Sequence, residues 1–163
     1  MKKCALILSA ILLLTFLTDA DTGQALMLKM STAELTGHAD AIIRGKVTEM
    51  KSEWDPQRRF IWTLVTILVS KSIKGGLADN QTVTVKIPGG VVGDVGQVTE
   101  HAPSFKIGED VVLFLNGENY RGKKVFRVTG KFQGKHTVKD GMLLEKKMPV
   151  ADFLDQIDKE VKK

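Results

Sequence analysis

The ten residues from Phe60 to Val69 read Phe-Ile-Trp-Thr-Leu-Val-Thr-Ile-Leu-Val. Such β-branched and aromatic side chains pack well on a pleated strand and lose χ1 freedom in a helix. The run is apolar on both faces and predicts a long central strand covered on both sides. Its neighbours repeat the theme. From Ala39, Ile43 and Val47 alternate with Arg44, Lys46 and Thr48, the pattern of a strand with one wet face, and Asp55-Pro56 interrupts it. Lys74-Gly75-Gly76 turns the chain, and Thr82 to Ile87 sends Val83, Val85 and Ile87 inward before Pro88-Gly89-Gly90 ends the strand. Asp110 to Leu115 is a strand, Asn116-Gly117 begins a turn, and Val125 to Val128 returns antiparallel. Asp140-Gly141 joins a last small hairpin, His136 to Lys139 with Met142 to Leu144.

Helices bracket the strands. Ser31-Thr32-Ala33-Glu34 fits a capping box, with Leu35 following and Gly37 stopping the turn. Near the other end Val150, Phe153, Leu154, Ile157 and Val161 fall on one helical stripe, with Pro149 suited to the first helical position. The fold class expected is mainly β: a small closed or partly open antiparallel β-barrel with a short N-terminal helix and a C-terminal amphipathic helix. Closure removes exposed sheet edges, while a β-sandwich produces a similar strand pattern.

Residues 1–25 have the grammar of a cleavable signal peptide. Lys2 and Lys3 precede an apolar run of 13 residues, Ala5 to Leu17, and Gly23-Gln24-Ala25 offers small residues at −3 and −1. The run is too short for the roughly 20 residues of a spanning helix, and Cys4 precedes it, whereas a lipid-modified cysteine would follow it. Cleavage after Ala20 is the alternative. The protein is expected to be exported, to the periplasm or the medium, with no membrane span after cleavage and residues 26–163 forming one domain.

Cys4 is the only cysteine, so the remaining 138 residues rely on apolar burial, and thiol chemistry and thiolate metal sites are excluded from them. Cleavage removes two lysines and two aspartates and leaves the net charge at +5. Scattered lysines favour an anionic partner weakly.

Ala39-Asp40-Ala41-Ile42-Ile43-Arg44-Gly45-Lys46-Val47, the long second strand, Ile73-Lys74-Gly75 and Gly108-Glu109-Asp110-Val111-Val112-Leu113-Phe114 resemble the strand order of the netrin-like module. That module is the OB-type barrel of tissue inhibitors of metalloproteinases. Nearly the whole chain after residue 25 also resembles a widespread family of exported bacterial proteins of unknown function, through Glu34-Leu35, Ala39-Asp40, Pro88-Gly89-Gly90 and the terminal amphipathic helix. The first resemblance implies a barrel. It implies no zinc-directed inhibition, because those inhibitors chelate zinc through an N-terminal cysteine, which the chain near Leu26 lacks.

The stretch from Pro88 to Gly108 has five glycines, two prolines and no sustained period. A loop of about 20 residues is unusual in a compact domain and points either to function or to hidden regular structure. Gly89, Gly90, Gly93 and Asp94 lack the Gly-Lys-Ser/Thr ending of a phosphate loop, so the glycines are expected to serve backbone geometry. Glu100 and His101 in the same stretch are the one acid and imidazole pair. His38, His101 and His136 are too widely spaced for a metal motif. Trp54, Arg58 and Arg59 flank the first turn as a candidate contact patch, with Trp54 expected to be exposed and Trp62 buried. Phe126, Arg127, Lys131, Phe132 and Lys135 interleave aromatic and basic residues as nucleic-acid surfaces do. Strand alternation instead makes Phe126 core and the others its wet face.

These residues lead to an exported, non-enzymatic binding module without cofactor or metal. Its partner is a protein or an anionic envelope polymer, not nucleic acid, and its binding residues are Gly89, Gly90, Gly93, Asp94, Glu100, His101, Trp54, Arg58 and Arg59. The alternatives are an inhibitor or regulator of an exported protease, and a hydrolase using Glu100 and His101.

Overall fold

The computed structural model describes residues 28–163, and the signal-peptide reading of residues 1–25 lies outside the described residues. The chain enters through helix α1 (Thr32–His38). The capping box forms as expected: Ser31 Oγ accepts from the Glu34 amide at 3.2 Å, and the Glu34 carboxylate accepts from the Ser31 amide at 2.7 Å. The helix runs one residue past Gly37, because Gly37 lies in open space and the Ala39 N–H still bonds back to Leu35 O.

Strands β1 (Ala41–Trp54) and β2 (Ile61–Lys74) form a long antiparallel hairpin. Three register shifts, at Ile42/Ile43, Arg44/Gly45 and Val47/Glu49, bend β1. Its first half thereby pairs on its other side with β6 (Asp110–Tyr120), from Ala41↔Leu115 to Lys46↔Asp110. A Cβ on Gly45 would lie 2.6 Å from Leu68 O and 2.7 Å from an Ile67 methyl, so only glycine fits in this bend. β2 continues to β3 (Thr82–Pro88), and β6 pairs with β7 (Lys123–Val128). A single parallel pair, Val85↔Phe126, joins β3 to β7. The result is a five-stranded ring in the order β1-β2-β3-β7-β6 and back to β1. This is the expected small, partly closed barrel, antiparallel except at that seam.

Two cores flank the ring wall. Ile43, Val47, Val65, Ile67, Val85, Leu113, Leu115 and Phe126 fill the interior. Ile42, Val112 and Phe114 face outward, against Leu35 of α1 and Phe153, Leu154 and Ile157 of α2 (Val150–Val161). The strands covered on both faces are therefore the first part of β1 and Val111–Leu115 of β6. Phe60–Val69 does not have that role. Ile61, Thr63, Val65, Ile67 and Val69 are buried, but Trp62 and Leu64 are only half-buried and Leu68 is exposed, because the outer core reaches β2 only at Ile73, beyond this stretch. Burying each large inward side chain contributes about 1.5–3 kcal/mol.

Asn116-Gly117 does not turn the chain. Both residues stay in β6, opposite Arg127 and Phe126, and the turn falls at Arg121-Gly122, where both φ values are positive (53° and 77°), as a tight hairpin turn requires. The turn chemistry of Asn116-Gly117 is spent on tertiary bonds. Asn116 Nδ2 donates to His38 O, its Oδ1 accepts from Thr129, and the Gly117 N–H donates to Asp40.

The stretch after Pro88 contains a hairpin, β4 (Gly90–Val92) with β5 (Val95–Gln97), too short for a strand period to show in the sequence. Beyond β7, a 3-10 turn (Lys131–Gly134) leads to β8 (Lys135–Lys139) on β6, then β9 (Met142–Leu143) and β10 (Met148–Pro149), with the expected Asp140-Gly141 turn. Pro149 caps α2 from just outside the helix instead of occupying its first turn. Among the described residues no helix is long and apolar enough to cross a membrane.

Candidate functional site

The seam between β3 and β7 determines where the ring opens. Along β7 the bonds to β6 alternate, with the Thr129 N–H donating to Phe114 O. Phe126 and Val128 therefore turn their main-chain groups toward β3. After Val85↔Phe126 the next rung would need an N–H from position 88, and Pro88 has none. The strands part there into a cleft of about 390 Å³. Ile87 and Pro88 form one lip and Val128 to Gly130 the other, while Thr99 to Pro103 lie along the margin and Trp62, Lys86, Glu118 and Arg127 come from the outer face of the ring.

Glu100 and His101 are on this margin. His101 takes φ 61° in a turn where the Ala102 N–H bonds to Thr99 O, and its ring lies 5.9 Å from that of Phe132. His101 Nε2 is 3.6 Å from Glu100 Oε1, and the Glu100 side chain is 89% exposed. At that distance the two groups are beyond hydrogen-bond reach of each other, and the exposed carboxylate does not desolvate the imidazole. Among the described residues, no three His, Cys, Asp or Glu side chains converge as a metal site.

Behind the cleft, Lys86 Nζ is 2.6 Å from Glu118 Oε1, 4.2 Å from the Trp62 ring centre and 4.5 Å from that of Tyr120. Phe60 packs against Trp62 with ring centres 4.8 Å apart and planes tilted by 47°. Tyr120 donates to Glu53 Oε1, and burial together with that bond raises the phenol above its ordinary range. Arg121 bridges Glu53 at 3.2 Å and Trp54 O at 2.7 Å. Arg127 and Lys131 have no carboxylate within ion-pair distance among the described residues. The cleft therefore carries excess positive charge beside an aromatic wall.

The two segments singled out in the sequence meet at one end of the ring. The Gly89 N–H donates to Ile61 O, the Ile61 N–H donates to Gln97 Oε1, and Thr63 Oγ1 donates to Gly89 O. The β4–β5 hairpin thus folds across the β1–β2 hairpin beside its turn. Gly89 and Gly90 are structural there: a Cβ on Gly90 would lie 2.3 Å from Thr63 Oγ1 and 2.4 Å from Ser52 Oγ. Gly93 and Asp94 are exposed at the hairpin tip, as are Arg58 and Arg59 in a turn held by Asp55, whose carboxylate accepts from the Arg59 and Phe60 amides. None of these four lines the cleft. Trp54 is half-buried rather than exposed, with Arg121 tied to its carbonyl, and Trp62 borders the cleft rather than being buried.

Phe126 is core, whereas Phe132 is exposed on the 3-10 turn and does not continue the strand. Sequence reading passed over Lys86, Glu118 and Tyr120. Lys86 lies on β3 and Glu118 and Tyr120 lie two residues apart on β6, and only ring closure brings the two strands' side chains together. The chain matches no known protein-family model, and no curated protein matches it in sequence.

Proposed function

We propose that this protein is an exported, non-enzymatic binding module whose partner is an acidic protein segment or an anionic envelope polymer. It would act in the periplasm or the medium as an OB-type, netrin-like barrel of the exported bacterial family it resembles. The observation that carries this reading is the cleft at the parted β3–β7 seam. Its volume of about 390 Å³ lies within the usual range for ligand pockets. It has an aromatic wall at Trp62, and Arg127 and Lys131 are uncommitted to carboxylates. Glu100 and His101 act at its margin as contact residues.

Capture from the parent organism's envelope and medium by the purified protein, compared with an Arg127→Glu/Lys131→Glu variant, tests the proposal. A partner held by the parent protein and weakened about tenfold or more by the charge reversal supports it, since each contact to a charged group is worth about 1.5–3 kcal/mol. Equal capture by both proteins, or capture of nothing, overturns it.

A further inference from the structure

A second cavity, of about 430 Å³, lies between the segment entering α1, the 3-10 turn and the β9–β10 connection. Met30, Leu35 and Phe132 supply apolar lining, and Lys29, Lys146 and His136 supply the polar part. His136 is 6% exposed, wedged between Phe114 and Phe153 with ring centres 5.9 and 5.0 Å away, and neither ring nitrogen has a hydrogen-bond partner. A buried unpartnered donor and acceptor each cost about 1–3 kcal/mol, and a rotation by half a turn exchanges the positions of ring nitrogens and carbons.

The charges at the cavity do not balance. Lys135 is paired with Glu109 at 2.7 Å, and Glu145, whose two oxygens accept from the Thr137 amide, sets one negative charge in the lining against the two positive charges of Lys29 and Lys146. Lys29 and Lys146 meet no carboxylate at ion-pair distance among the described residues, and Lys146 donates only to Thr32 Oγ1, at 3.2 Å. Burial, then the nearby Lys29, lowers the proton affinity of Lys146. The lining of this largely apolar hollow thus has one positive charge in excess beside an unpartnered imidazole, and an anion between the two lysines relieves both conditions.

We propose that this cavity binds a small carboxylate with an apolar body, the carboxylate between Lys29 and Lys146 with one oxygen accepting from His136, and the body against Met30, Leu35 and Phe132. The site is separate from the seam cleft. His101 borders both cavities, so it is left unchanged in both tests and the two proposals fail independently.

Titration calorimetry at pH 7 with octanoate, octanol and acetate as probes tests the assignment. Octanoate is expected to bind, with octanol and acetate each at least about tenfold weaker, because each lacks one half of the recognition. Lys29→Gln/Lys146→Met, both surface-accessible positions, should weaken octanoate about tenfold, the loss expected for contacts to a charged group. Octanoate should also move the ring-proton resonances of His136. Binding of octanol as tight as octanoate reduces the cavity to an apolar patch and overturns the proposal. Undiminished octanoate binding by the double variant, a still His136 resonance, or no octanoate binding does the same.

Discussion

Lys86 on β3 and Glu118 on β6 form a 2.6 Å ion pair, with the lysine ammonium held between the faces of Trp62 and Tyr120. The two side chains are only 12% and 26% exposed, so neither is freely solvated when its partner is lost. Glu118→Leu leaves a shielded cation and should lower the unfolding free energy by about 1–3 kcal/mol. The double variant Lys86→Met/Glu118→Leu should recover most of that loss, because an apolar pair needs no desolvation. Urea denaturation of the single and double variants checks this, and a double variant no more stable than the single one refutes it.

The glycines after Pro88 make a prediction that separates geometry from ligand binding. Gly90 has φ 139° and no room for a Cβ beside Ser52 and Thr63, whereas Gly93 at the hairpin tip has φ 59° and open space. Gly90→Ala should cost about 2 kcal/mol or more, combining strain with overpacking. Gly93→Ala pays only for its left-handed backbone, about 1 kcal/mol. Thermal unfolding of both variants distinguishes them, and equal losses contradict a packing role for Gly90.

Much of this fold was legible in local patterns. The capping box at Ser31 and Glu34, the inward alternation of Val83, Val85 and Ile87, the Asp140-Gly141 turn and the apolar stripe of α2 all depend on neighbours within a few residues. What was not legible depends on closure. Asn116-Gly117 has turn chemistry but is held in β6 by His38, Asp40 and Thr129, partners 13 to 78 residues away. A strand covered on both faces is found at Val111–Leu115, because α1 and α2 pack outside β6 and reach β2 only at Ile73, leaving the outer face of Phe60–Val69 open. Of the candidate site, Glu100 and His101 were found through the irregular stretch containing them. Lys86 and Glu118 look in sequence like ordinary wet-face residues of two strands.

Phe153 anchors the outer core. It is fully buried in α2, its ring edge-on to Phe114 at 6.3 Å and to His136 at 5.0 Å. Phe153→Ala should cost about 3–5 kcal/mol. Because α2 rests on the outside of the ring wall, the helix should lose hydrogen-exchange protection before β1 and β2 do. Uniform loss of protection across helix and strands would show that the two cores unfold as one unit.

His136 gives the protein a pH dependence of defined sign. Burial, then the charge of Lys146, lowers its pKa from 6.5 to about 4, with Lys135 acting in the same direction and Glu145 opposing. The folded protein holds the imidazole neutral, while the unfolded chain takes up a proton as pH falls below 6.5. Stability present above pH 6.5 is therefore lost progressively toward pH 4, about 3–4 kcal/mol in all. Glu109 contributes separately. Burial opposes its ionisation, but its bonds to Lys135 and Thr137 outweigh burial and lower its pKa, so its contribution is lost only below its ordinary 4.5. The interval between pH 6.5 and 4.5 isolates the histidine. His136→Phe removes both the titration and the two unpartnered nitrogens, so its stability should change far less over that interval, with its advantage over the parent growing as pH falls. Denaturant midpoints at pH 7, 5.5 and 4.5 measure this, and parallel pH profiles for parent and variant would show that His136 is already charged in the folded state.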